Sequence, residues 1–349
     1  MTQTSKREVP SDWPTLLQDN ARTGGQGLQH IKSPQEAVWQ YRAGSSVRSA
    51  PVLKDKTLYI VSVNGTLHAL DSSTGDLKWK FEAAGPIHST PSLYQNQILF
   101  GCDDGKVYAI DLQSGNKLWE AATGAEVWAS PVIRGEVVFF GSADAKVYAI
   151  EAASGRTRWV KELGGRIYST IYAGEQQLYL GCGDGNVYSL ETASGKIMWS
   201  TKTGNGIASS PAVHGDLLLI GSEDFLVYAL NTASGDVRWK YETGLGISSS
   251  PAIADDFAVV GGKDGFLYAF DTQTGRLRWK TIVSEVVTAP AVIGEDVACI
   301  QAGITCALSR ENGDIVWRAK LAGAIQSVPV LTADTIYLAS LSGEVYALR

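Results

Sequence analysis

Short apolar runs separated by polar, glycine-bearing turns follow one another along this chain with the spacing of β-strands, and the alternation itself repeats. Ser92 to Glu120 and Val132 to Val160 show the unit. In each, an inner run follows a proline, a second closes on Gly-x-x-Asp, a third reads Val-Tyr-Ala-Ile, and a fourth carries a tryptophan. Apolar runs this short, bounded by turn residues, predict four strands per unit.

The tryptophans set the period. Trp39, Trp79, Trp119, Trp159, Trp199, Trp239 and Trp279 stand 40 residues apart, and Trp317 follows after 38. Self-similarity at about 40 residues marks a supersecondary unit copied around a ring or along a solenoid, because one unit cannot bury its own apolar face. A tryptophan buries about 150–250 Å² and donates from its indole N–H, so one per sheet can dock neighbouring sheets. The eight therefore read as docking residues between blades.

Turn chemistry supports hairpins. Asn64-Gly65, Asp104-Gly105, Asp184-Gly185 and Asp264-Gly265 supply the positive φ that tight hairpin turns need. Asp144-Ala145 and Asp224-Phe225 break the rule and predict strained or differently built turns. The next loop, Asp71 to Gly75 in the first copy, recurs in the second to sixth copies and, shortened to Glu311-Asn312-Gly313, in the seventh. Pro51, Pro91, Pro131, Pro211, Pro251, Pro290 and Pro329, with Ile171 in the fourth copy, predict an innermost strand with one unpaired edge, where proline is tolerated.

Counting strands predicts how the ring closes. The eighth copy ends at Glu344 to Arg349 without its own tryptophan strand, while an orphan strand, Glu36 to Arg42, precedes the first complete copy. The N-terminal strand is expected to complete the last blade and leave no open edge between them. The prediction is an all-β, eight-bladed β-propeller of four-stranded antiparallel blades. It occupies residues 11–349 as one domain behind a flexible tail over 1–10.

Asp/Asn-x-x-Thr/Ser-Gly-x-x-x-Trp following Val-Tyr-Ala-Leu resembles the tryptophan-docking repeat of the PQQ-type, quinoprotein-like propellers. Asp12-Trp13-Pro14 and Asn20 to Gly24 resemble the segment that opens many of them. That superfamily includes PQQ-dependent dehydrogenases and the BamB-type lipoproteins of outer-membrane β-barrel assembly. The resemblance implies the fold directly and the function weakly. The dehydrogenases typically carry a vicinal Cys-Cys disulfide, a carboxylate and amide calcium site and a catalytic Asp. This chain has no adjacent cysteines. No cofactor is therefore expected, and PQQ with calcium is the disfavoured alternative.

A net charge of −6 and the lack of a basic stripe argue against nucleic acid. No apolar run reaches the roughly 18 residues of a membrane span. Residues 1–10 contain no secretion-signal core, and the first cysteine is Cys102. As written, the chain is expected in the cytoplasm, or in the periplasm if its N-terminus was trimmed, and as a monomer. Cys102, Cys182, Cys299 and Cys306 read as buried thiols by default, with a Cys299–Cys306 disulfide as the alternative. His68, in the Tyr position of Val-Tyr-Ala-Leu, reads as structural. His30 and His214 read as surface residues.

Function is sought where the copies differ. The position three residues before the strand proline, or Ile171, reads Arg48, His88, Trp128, Tyr168, Ala208, Ser248, Val287 and Gln326 around the ring. These residues are expected to surround one mouth of the central channel, with large polar or aromatic groups on four consecutive blades. Arg48 would supply charge, Trp128 and Tyr168 stacking, and His88 a hydrogen bond or a proton site. Asp103, Glu126, Arg166, Glu223 and Lys263 form the expected rim. The bland alternative is a mouth filled by assorted side chains and water.

No nucleophile elbow, phosphate loop or metal-ligand spacing is present. The expected function is a non-catalytic binding or scaffolding propeller that docks a protein segment or small ligand over the mouth at Arg48, His88, Trp128, Tyr168 and Gln326. The competing expectation is a PQQ-like cofactor-binding protein or enzyme using the same pocket. There His88 would act as general base and Arg48 would hold an oxyanion.

Overall fold

Each apolar run becomes a strand because its inward residues meet those of the next copy. The computed structural model describes residues 37–284, 287, 292–293, 296–301, 304–320, 324–332 and 334–349. The expected tail, the Asp12 to Gly24 segment, His30 and Pro290 lie outside them. The described strands form eight four-stranded antiparallel sheets. Blade 2 shows the plan, running from the inner strand Ser92–Tyr94 through Gln97–Gly101 and Lys106–Asp111 to the outer strand Lys117–Ala122. Blades 1 and 3 to 7 repeat it over 52–82, 132–162, 172–202, 212–242, 252–282 and 292–320.

The last sheet is made from both ends of the chain. Val330–Leu331, Ile336–Ala339 and Glu344–Leu348 pair outward in turn, and Ala37–Arg42 adds the outer strand with Trp39 opposite Ala347. Glu344 holds the closure, accepting from Gln40 Nε2 at 2.7 Å and from Arg42 Nε at 2.9 Å. Trp39 then reaches onward, donating its indole N–H to the Ser72 carbonyl of blade 1 at 2.9 Å.

Every other described docking contact has the same form. Trp79, Trp119, Trp159, Trp199, Trp239 and Trp279 each donate to a carbonyl of the following blade at 2.9–3.2 Å. The indole lies over a loop glycine: a Cβ on Gly115, whose φ is +71°, would stand 2.7 Å from Trp79 Cε3. That close approach, together with the positive φ, is why the loop demands glycine. An alanine or serine of the third strand sits opposite each indole, as Ala109 does opposite Trp119, leaving room for its bulk.

The turn exceptions are built like the rest. Ala145 and Phe225 take φ of 67° and 74°, values that Gly105 and Gly185 reach without a Cβ penalty. The turn aspartates are held by the tyrosine of the third strand, as in Tyr148 Oη to Asp144 at 2.6 Å. Blade 1 replaces that pair with buried His68. Its Nδ1 lies 3.0 Å from Tyr41 Oη on the closing strand, and its Nε2 lies 3.3 Å from Ser62 Oγ. Burial, aided by Lys80, pushes the imidazole down to about 4. His214 is exposed, as the sequence suggested.

Near the channel axis a second, unforeseen device ties blades together. The amides of Ala50, Thr90, Ser130, Thr170 and Ser210 each donate to the hydroxyl 40 residues ahead, on Thr90, Ser130, Thr170, Ser210 and Ser250, at 2.9–3.3 Å. Cys102 and Cys182 are buried, and each thiol meets a glycine carbonyl of its own blade's entry loop, Gly85 and Gly165. Cys299 and Cys306 are register partners on the second and third strands of the seventh sheet.

Candidate functional site at the channel mouth

The mouth is placed by a buried aliphatic. Val47, Ile87, Val127, Ile167, Ile207 and Ile247 enter the inner strands, and each is buried. A glycine of the second strand makes room, since a Cβ on Gly141 would fall 2.1 Å from Ile167 Cγ2. The residue after it is thereby fixed in place, and this is the position that varies around the ring.

One expectation shifts. Val287 is fully buried against Gly261, so it belongs to the aliphatic row and not to the mouth. The proline count misled because Pro290 follows Pro251 by 39 residues while Val287 follows Ile247 by 40. The residue after Val287, Thr288, lies outside the described residues.

Blades 2 to 4 place three rings in contact. The His88 and Trp128 ring centroids are 5.2 Å apart, and those of Trp128 and Tyr168 are 5.0 Å apart, both pairs tilted. Trp128 remains 44% exposed, whereas the docking indoles from Trp39 to Trp279 are buried or half-buried. An aromatic this exposed, fixed by rings on both sides, offers a rigid apolar contact at low entropic cost.

Charges are interleaved with the rings. Asp103, expected on the rim, sits within the ladder with Oδ2 3.4 Å from His88 Nε2. The Trp128 indole N–H lies close enough to favour its ionised form. Its Oδ1 is buried with no hydrogen-bond partner. Burial is the leading cause for both partners, lowering His88 and raising Asp103; Arg48 lowers His88 further, while the Asp103 charge opposes it. At neutral pH His88 is therefore a neutral imidazole.

Arg48 is exposed at the blade 1 end, close enough to act on His88 and without an ion-pair partner among the described residues. At the other end Arg166 donates to Tyr168 Oη at 3.1 Å. Glu126, exposed, presses its charge on both Asp103 and Arg166. Arg48, His88, Asp103, Glu126, Trp128, Tyr168 and Arg166 are thus one connected cluster.

The rest of the expected site is separate. Glu223 and Lys263 close on each other, with Lys263 Nζ 2.7 Å from both carboxylate oxygens, beside half-buried Ala208 and Ser248. Gln326 is exposed in blade 8, and among the described residues no hydrogen bond or ring contact ties it to the ladder. On the opposite face a cleft of about 400 Å³ lies between blades 1 and 2, lined in part by Lys54, Lys78, Trp79, Asn96 and Gln113. Its lysines are engaged, Lys78 with Asp71 at 3.2 Å and Lys54 with the Gln95 carbonyl.

Among the described residues no three His, Cys, Asp or Glu side chains converge to hold a metal ion. No helix among them is long and apolar enough to cross a membrane.

The family model described as outer membrane protein assembly factor BamB matches the chain over residues 21–175 and 143–349. Among solved structures, BamB from Moraxella catarrhalis is similar at 19% identity with a TM-score of 0.77, covering 90% of this chain and 99% of that one. The quinohemoprotein alcohol dehydrogenase of Comamonas testosteroni aligns at 13% identity with a TM-score of 0.84, covering 99% of this chain and 81% of that one. A computationally designed protein, Ika8, aligns at 14% identity with a TM-score of 0.81, covering 90% of this chain and 99% of that one. No curated protein matches the sequence.

Proposed function

The chain belongs to the outer membrane protein assembly factor BamB family, and from that premise we propose that it is a non-catalytic docking propeller that seats a segment of a partner protein across the channel mouth. The observation that carries this is Trp128, 44% exposed yet wedged between His88 and Tyr168. Immobilised aromatic side chains with arginines beside them are the usual anchors of protein interfaces. The ladder spans three blades, which suits an extended segment better than a compact small molecule. The family's description, an assembly factor, supports a protein partner.

The cofactor reading finds less support. The resemblance to PQQ enzymes implies adjacent cysteines and a calcium site, whereas Cys102 and Cys182 are buried in different blades. No metal-binding cluster lies among the described residues. The residues present do not fit that arrangement, and no step through a quinone is derived. The test is affinity capture with wild type and with the Arg48→Ala/Trp128→Ala double variant. The double variant is expected to lose the captured partner while its melting temperature holds; undiminished capture would remove the mouth from the account. PQQ titration with and without calcium, read by tryptophan fluorescence, is expected to give no saturable response.

A further inference from the structure

Resting on the docking reading above, we infer that the mouth takes a cationic side chain, an arginine or lysine of the docking segment, over the exposed part of Trp128. Three features of the ladder converge on this. First, His88, Trp128 and Tyr168 present ring surface at one point, and the negative faces of aromatic rings attract cations, the indole most strongly.

Second, the carboxylates beside the rings are short of donors. Asp103 Oδ1 is buried without a partner, and the carboxylate's other neighbours are the Trp128 indole N–H and His88, whose Nε2 lies 3.4 Å from Oδ2, longer than a good charge-assisted bond. Glu126 is exposed and makes no side-chain hydrogen bond among the described residues. A half-buried carboxylate with one oxygen left without a donor projects negative potential that a cation above the neighbouring ring would offset.

Third, the two fixed cations stand at the ends of the row. Arg166 is turned onto Tyr168 Oη, and Arg48 lies beyond His88. In the sequence alone Arg48 is the evident charge at the mouth. Placing Asp103 inside the ladder reverses the sign at its centre. Arg48 then opposes a cation on Trp128 and selects for an acidic neighbour in the same segment.

The test uses the full chain and three fluorescein-labelled glycine-serine octapeptides that differ only in a central Arg-Arg, Gln-Gln or Glu-Glu pair, read by anisotropy at low salt. The Arg-Arg peptide is expected to saturate and to bind about fivefold or more tighter than Gln-Gln, the scale of a partly desolvated cation–π contact. Trp128→Ala and Asp103→Asn should each remove that advantage, and Arg48→Ala should enlarge it. Glu126→Gln, on an exposed side chain, should reduce it and keeps the test decisive if Asp103→Asn fails to fold.

Equal or tighter binding of Gln-Gln or Glu-Glu would overturn the inference, as would no binding of Arg-Arg or no effect of Trp128→Ala. Failure here is distinguishable from failure of the docking reading. If Glu-Glu wins while capture still depends on Arg48 and Trp128, docking stands and only the cation is wrong.

Discussion

The two sides of the channel mouth share a scaffold and differ in what stands on it. On blades 2 to 4 the residues after the buried aliphatic are His88, Trp128 and Tyr168; on blades 5 and 6 they are Ala208 and Ser248. Beneath both arcs the same glycine-against-aliphatic contact recurs, Gly141 with Ile167 on one side and Gly221 with Ile247 on the other. The charges differ as well. Glu223 and Lys263 satisfy each other, whereas Asp103, Glu126 and Arg48 are left partly or wholly unpaired. The repeat fixes where a mouth residue stands and leaves its chemistry free; under the docking proposal one arc is inert and the other adhesive.

The strongest way to separate scaffold from site is to strain the scaffold equally on both sides. An added methyl at Gly141 or Gly221 would meet the facing isoleucine Cγ2 at 2.1 or 2.2 Å. Gly141→Ala and Gly221→Ala should each lower stability by about 2–3 kcal/mol through overpacking, measured by denaturant unfolding. Only Gly141→Ala, which displaces Ile167 and with it Tyr168, should weaken partner capture.

A similar magnitude is expected from pH at the closure, away from both arcs. His68 is neutral when folded and takes a proton near its ordinary value of 6.5 when unfolded. The unfolded chain therefore binds more protons, and stability present above pH 6.5 is lost as pH falls toward about 4. The full shift amounts to about 3 kcal/mol at 1.36 kcal/mol per unit. His68→Tyr, which restores the residue of the other blades, should flatten this part of the melting curve's acid limb. Unchanged acid sensitivity would show that the loss arises elsewhere.

Smaller again is the hydroxyl belt. Ser130→Ala and Ser250→Ala should each cost about 1 kcal/mol by leaving the Thr90 or Ser210 amide without its acceptor. The two costs should match in thermal melts, because the belt runs beneath both arcs. A much larger loss for either would mean that the arcs differ in their scaffold as well as in their surface.

The fold was nearly all legible in the sequence. The tryptophan period, the proline before every inner strand but the fourth and the orphan strand at Trp39 gave blade count and closure without any long-range knowledge, because a repeat writes its architecture once per copy. Two things were less legible. Val287 was misplaced because a single deletion between it and Pro290 breaks the register that the proline was meant to mark. Asp103 was named only as rim, since its packing between His88 and Trp128 depends on how one blade's turn leans on two entry loops, and its counterparts Ala143, Gly183, Glu223 and Lys263 share no chemistry. The belt did carry a signal, a hydroxyl just before the inner strand at 90, 130, 170, 210 and 250. It was overlooked because serine and threonine in loops rarely stand out.

The most direct test of an adhesive arc facing an inert one is a photo-crosslinking residue placed once at Arg166, beside the ladder, and once at Ser248, across the channel. The account predicts a discrete partner adduct from position 166, abolished by Trp128→Ala, and none from position 248. Adducts of equal yield from both positions, or from 248 alone, would contradict it.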